Sequence, residues 1–106
     1  MSKPRQAGST VSDIDRLVHE PARLIILCHL SVVDAADFLF IMRETGMTQG
    51  NLSSHMEKLA AAGLITIIKE FVGRRPRTLL RITDEGQTAL RAYVTTMRHL
   101  FSGIAE

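Results

Sequence analysis

The sequence predicts a small α+β domain, mostly helical with one β-hairpin. Three observations predict it. Residues 48–62 read as one polar-faced helix that stops at Gly63 and runs into a strand. Gly46 separates that helix from an apolar helix before it, giving the helix–tight turn–helix pattern of a helix-turn-helix. Beyond the strand, Arg74-Arg75-Pro76-Arg77 lies between two strand-like runs, where a winged helix-turn-helix carries its basic wing.

The elements follow in chain order. Residues 1–12 are polar, with Pro4 and Gly8, and are expected to be a flexible N-terminal tail. Ile14, Leu17 and Val18 fall at helical spacing, so a short helix is expected over 13–19. Pro21 interrupts it and starts a second helix, since proline is tolerated in a first turn but not in a helix interior. That helix runs to about Leu30 and presents Leu24, Ile25, Leu27 and Cys28. A third helix is expected over 34–45, with Phe38, Leu39, Ile41 and Met42 apolar and Gly46 as its stop.

Thr48 is a good N-cap for the next helix. Leu52, Met56, Leu59 and Ala60 share one side of it. Gly50, Ser54, Glu57 and Ala61 point the other way, with Asn51 and Lys58 on a flank. Residues 64–71 are strand-like, 72–76 make the turn, and 78–82 return. The wing is placed at 71–78. Thr83 caps a last helix reaching about Gly103, with Asp84 and Glu85 where the helix dipole favours anions.

Bulk properties bound the function. A chain of 106 residues makes one compact domain. Its hydrophobic content of 45% and charged content of 23% fit a folded domain. The net charge is only +2, so any nucleic-acid argument rests on where charges lie. The single cysteine, Cys28, has no intrachain disulfide partner and fits a reducing compartment. No apolar run approaches a membrane span and no signal peptide is visible, so a cytoplasmic protein without a membrane partner is expected.

A helix that enters the major groove needs slim, hydrogen-bonding side chains near its start. Gln and Asn pair with adenine edges, and Ser and Thr adapt. Gln49, Gly50, Asn51 and Ser54 have those qualities, and Ser53, His55 and Lys58 lie further round, towards phosphates. A solvated face of any amphipathic helix would look similar. The wing separates the two readings. From Lys69 to Arg81 five cations face one carboxylate, Glu70, so this segment is more positive than the whole chain. Arginine forks match phosphate and guanine geometry.

Three stretches, TQGNLSSHMEKLAAAGLI, FVGRRPRTLLRITDEG and EPARLIILCHL, resemble the small winged-helix transcriptional regulators of the MarR and ArsR groups. The resemblance spans residues 14–102, with the blocks in family order. It implies that the helix over 48–62 reads the major groove and that the hairpin touches the minor groove or the backbone. It implies DNA contact for Thr48, Gln49, Asn51, Ser53, Ser54 and His55, and wing contact for Arg74, Arg75 and Arg77. It also implies a homodimer built from the N- and C-terminal helices. Asp84 stands where the family often has proline, which bears only on how the last helix starts.

The last helix adds its own argument for a dimer. Leu90, Val94, Met97, Phe101 and Ile104 are spaced four, three, four and three, with Tyr93 and Leu100 beside them. That is a heptad-like seam, which Leu17 of the first helix is expected to join. The seam is long for so small a domain to bury alone. The bland alternative is that this helix packs back on its own core.

Cys28, His19, His29, His55 and His99 show no ligand spacing, so no metal or other cofactor is expected, and Cys28 reads as a small buried hydrophobe. No catalytic constellation is present, and Ser53-Ser54-His55 lacks a third partner. The reading is therefore a homodimeric, sequence-specific DNA-binding regulator, a repressor or autoregulator, over residues 13–106 and not an enzyme. Its partners are double-stranded DNA and a second copy. One alternative is a ligand-sensing switch, with an unidentified small-molecule effector held near Leu17, Ile25, Phe38, Tyr93 and Met97. Another is a winged-helix interaction module that binds no DNA.

Overall fold

The computed structural model describes residues 10–104. The first nine positions of the expected tail lie outside the described residues, as do the last two, 105–106, of the expected domain. The tail's remaining end is a 3-10 turn, Val11–Asp13. The order after it is α1 (Pro21–Leu30), β1 (Ala36–Asp37), α2 (Phe38–Thr45), α3 (Gln49–Ala61), β2 (Ile65–Val72), β3 (Arg75–Ile82) and α4 (Asp84–Phe101). This is the winged helix-turn-helix that the pattern predicts.

The helix expected over 13–19 does not form. The carboxylate of Asp15 accepts from the backbone N–H groups of Leu17 and Val18, which holds turns instead of a helix. Among the described residues before α1, only the 3-10 turn Val11–Asp13 is helical. Glu20 and Pro21 then start α1. The Glu20 side chain accepts from the N–H of Arg23 at 2.8 Å, and proline at the first position leaves no N–H to satisfy.

The third helix starts late. Ala36 and Asp37 pair with Leu80 and Leu79 of β3 and form a short strand, which two residues without alternation do not announce. Asp37 then caps α2 by accepting from Leu39 N–H at 2.7 Å. Gly46 ends α2 at φ 72°, a conformation that glycine adopts cheaply.

The sheet order is β1-β3-β2, antiparallel throughout. Val72 pairs with Arg75, so the wing turns on two residues, Gly73 and Arg74. The expected turn over 72–76 is thus shorter, and Arg75, Pro76 and Arg77 belong to β3. Pro76 is tolerated there because β1 pairs only with Leu79 and Leu80, leaving that edge of β3 open near the tip.

The core draws on every layer. Val18, Ile26, Leu27 and Leu30, Ile41 of α2, Leu52 and Leu59 of α3, and Leu80 of β3 are fully buried. Cys28 is exposed, not buried as expected. The core side of α1 carries Ile26, Leu27 and Leu30, and Cys28 falls about 100° past Leu27.

Candidate nucleic-acid interface

The candidate reading helix is fixed at both ends and along one side. Thr48 Oγ1 accepts from Asn51 N–H at 3.1 Å. At the other end the N–H of Leu64 returns to Leu59 O at 2.9 Å, with Gly63 at φ 81°. Leu52, Met56 and Leu59 anchor α3 in the core. The side turned away from the core therefore has a set orientation. It exposes Thr48, Gln49, Gly50, Asn51, Ser54, Glu57 and Lys58 together. The donors left open in the first turn of α3 add an anion-attracting end.

Two expected contact residues sit differently. Ser53 is half-buried. His55 turns towards the start of α1, with its Nδ1 3.3 Å from Arg23 Nη1 and 3.9 Å from Glu20 Oε1. Arg23 also donates to Leu17 O at 2.6 Å and to Arg16 O at 3.4 Å. It thus ties the turns before α1 to α3. The Glu20 carboxyl is held below its ordinary range, chiefly by the backbone N–H of Arg23; desolvation opposes this, and the charges of His55 and Arg23 add to the lowering. Nothing in the spacing of Glu20, Arg23 and His55 announces this cluster.

The wing arginines divide. Arg74 and Arg75 are exposed at the tip and make no ion pair among the described residues. Arg77 Nε lies 3.4 Å from Asp37 and 3.5 Å from Glu70. Its charge is shared between two carboxylates, one on β1 and one on β2, so it braces the hairpin against the rest of the sheet.

The expected dimer seam is split too. Leu90 and Tyr93 are buried in the subunit's own core. Met97 and Leu100 are half-buried, and Leu17 packs on the core. Val94, Phe101 and Ile104 are exposed. An open apolar groove of about 570 Å³ runs between α1 and α4, lined by Leu24, Cys28, Tyr93, Val94, Met97 and Phe101 among others. Beside it, a cavity of about 330 Å³ is lined by His19, Glu20, Pro21, Leu24, Ile25 and Tyr93. There His19 Nδ1 and the Tyr93 hydroxyl are hydrogen-bonded at 2.7 Å. Of the expected effector contacts, Ile25, Tyr93 and Met97 line these spaces, whereas Leu17 and Phe38 pack on the core.

Among the described residues no three His, Cys, Asp or Glu side chains are grouped to hold a metal ion. No helix among them is long and apolar enough to cross a membrane.

Known proteins share this architecture. The family described as "Winged helix DNA-binding domain" matches residues 22–101. An uncharacterized protein of Methanocaldococcus jannaschii is 26% identical over 89 residues, covering 84% of this chain and 97% of its own. A transcriptional regulator homologue from Pyrococcus horikoshii superposes with a TM-score of 0.80 at 29% identity, over 87% of this chain and 91% of that one. The PcaV transcriptional regulator of Streptomyces coelicolor, solved with its natural ligand, shares the fold with a TM-score of 0.70 at 23% identity, over 89% of this chain and 66% of that one. The resemblance to small winged-helix transcriptional regulators is thereby shown.

Proposed function

The chain belongs to the family of winged helix DNA-binding domains, and on that premise we propose that it is a sequence-specific transcriptional regulator, a repressor or autoregulator, acting as a homodimer. The observation that carries this reading is the outward face of α3. Gln49, Asn51 and Ser54 are exposed together next to the helix start, on a helix whose other side is locked into the core. Amide and hydroxyl groups held this way suit base edges in the major groove. Arg74 and Arg75 hold the flanking backbone.

The dimer is assigned to the groove between α1 and α4. Val94 and Phe101 leave apolar surface open there, and a second copy of α4 would cover it. Two copies related by a two-fold axis read two half-sites.

Selection of duplexes from a random pool, followed by binding at graded salt, tests the reading. The expected site is an inverted repeat with half-sites about one helical turn apart. If each subunit neutralises roughly three phosphates, log K falls against log salt with a slope of about −5. Failure to enrich any sequence, together with affinity that ignores salt, favours the interaction module that binds no DNA.

A second reading adds ligand sensing. It is favoured by the cavity at His19 and Tyr93, whose polar pair sits among Pro21, Leu24 and Ile25. A screen of small aromatic acids by thermal shift, with loss of DNA binding as the second readout, tests it.

A further inference from the structure

The wing tip carries apolar surface that its charge does not explain. Phe71 is 73% exposed and Val72 is 52% exposed. Pro76 is exposed as well. The register sets Phe71 opposite Pro76, and Val72 opposite Arg75. Directly opposed residues share a face and successive residues alternate. Phe71 and Pro76 therefore continue the face that carries Ile65, Leu80 and Ile82, which are buried at the base of the sheet. By the tip that face has lost its cover. Val72 lies on the opposite face. The ribbon thus ends apolar on both sides, in a two-residue loop that Gly73 makes narrow at φ 65°.

The surroundings select the occupant. Arg74 and Arg75 flank the apolar side chains and have no ion-pair partner among the described residues. Two tips meeting in a second copy would bring four arginines together. A slot with hydrocarbon walls and anionic rims has the complementary chemistry. The minor groove of DNA is such a slot, about 6 Å wide, walled by deoxyribose and edged by phosphate.

Building on the DNA-binding reading, we propose that the wing tip grips the minor groove by apolar contact, Phe71 and Pro76 packing against its deoxyribose walls while Arg74 and Arg75 reach the phosphate rims. The tip thereby reads groove width. A·T runs narrow the groove and deepen its negative potential, and the guanine amino group fills its floor. Phe71 is then a specificity-determining residue that carries no charge, so its contribution is independent of salt. Arg77 belongs to a different task, since Asp37 and Glu70 already hold it.

Fluorescence anisotropy of the full chain on a duplex selected by the wild type tests this. F71A is expected to weaken binding about tenfold with an unchanged salt slope, because only apolar contact is lost. R75A is expected to flatten that slope. Replacing flanking A·T pairs by inosine·cytosine, which lacks the minor-groove amino group, should preserve wild-type affinity, whereas G·C should lower it. F71A should discriminate less between the two. Phe71 lies mostly in solvent, so its thermal unfolding should match the wild type, and F71L should recover part of the affinity. Binding of F71A within about twofold of wild type at every salt concentration overturns the proposal, as does equal binding to the inosine and guanine duplexes. A wild type that binds no DNA overturns the regulator reading itself, which is a different result.

Discussion

Gly86, in the first turn of α4, lies directly against the backbone carbonyl of Leu64, the residue before β2. A Cβ added to Gly86 would overlap that oxygen and come within 2.7 Å of Ile82 Cγ1. The same junction is tied by Thr83, whose N–H donates to Leu64 O at 3.0 Å and whose hydroxyl donates to Gly63 O at 2.7 Å. The end of α3, the root of the wing and the start of α4 are fastened within a few residues. G86A should therefore destabilise the fold by about 1–3 kcal/mol, despite alanine's better helix propensity, because backbone must move. Urea denaturation reads this directly; an unchanged midpoint would show that the junction yields freely.

Reading and holding should separate by mutation. Asn51 faces outward on α3 and Arg75 stands at the wing tip. N51A should cost about 1–3 kcal/mol on the preferred site and far less on random DNA. R75A should weaken both by a similar factor and flatten the salt slope by about 1 to 2 units in the dimer. Equal losses on both duplexes for N51A would remove that residue from sequence readout.

Arg77 should behave unlike its neighbours. Two carboxylates already share its charge. R77A should change the salt slope by less than about 1 unit, clearly less than R75A does. Its effect should appear in the wing's stability instead, as faster amide exchange in β2 and β3 near Glu70. A slope change as large as that of R75A would place Arg77 on phosphate.

The dimer prediction rests on Met97, half-buried in the groove between α1 and α4. M97E should shift sedimentation towards the monomer, since a partner copy would bury the charge without a counter-ion. A wild type that sediments as a monomer at about micromolar concentration, and on DNA as well, rules out this interface.

Acid should loosen the start of α1. The bond from Arg23 N–H, helped by the charges of His55 and Arg23, lowers the pKa of Glu20 below that of a free glutamate. A lowered carboxylate stabilises the folded state above its unfolded pKa, and that contribution is lost as pH falls through the folded pKa. Stability should thus fall below the usual glutamate range near about pH 4. E20Q should lose less between neutral and acid pH than the wild type does. A parallel loss in E20Q would assign the acid sensitivity to other carboxylates.

Much of the architecture and part of the site follow from local rules. Thr48 and Gly63 bound α3, and the spacing of Leu52, Met56 and Leu59 fixes which side faces the core. The opposite side is then set by helical geometry alone, so the exposure of Gln49, Asn51, Ser54 and Lys58 is legible in residue spacing. Gly46, Gly73 and Thr83 mark their turns and caps for equally local reasons, in that each conformation or hydrogen bond is made within a few residues.

What the tertiary structure decided lies between residues far apart in the chain. The strand at Ala36–Asp37 exists because Leu79 and Leu80 supply its partners. Asp15 forms turns where apolar spacing suggests a helix, a side-chain competition that periodicity does not weigh. Arg77 is drawn to Asp37 across the sheet, and His55 to Arg23 across two helices, so their charges are engaged in ways that residue type does not reveal. Cys28 is exposed because the hydrophobic face of α1 is wider than the core it meets. The sequence by itself determined α1, α3, the hairpin and α4, the caps at Thr48 and Thr83 and the exposed face of α3, since each depends on backbone geometry over a short stretch of chain. Which wing cations are held by carboxylates, and which apolar surface stays exposed, was decided only when the packed elements brought distant charges and side chains within reach.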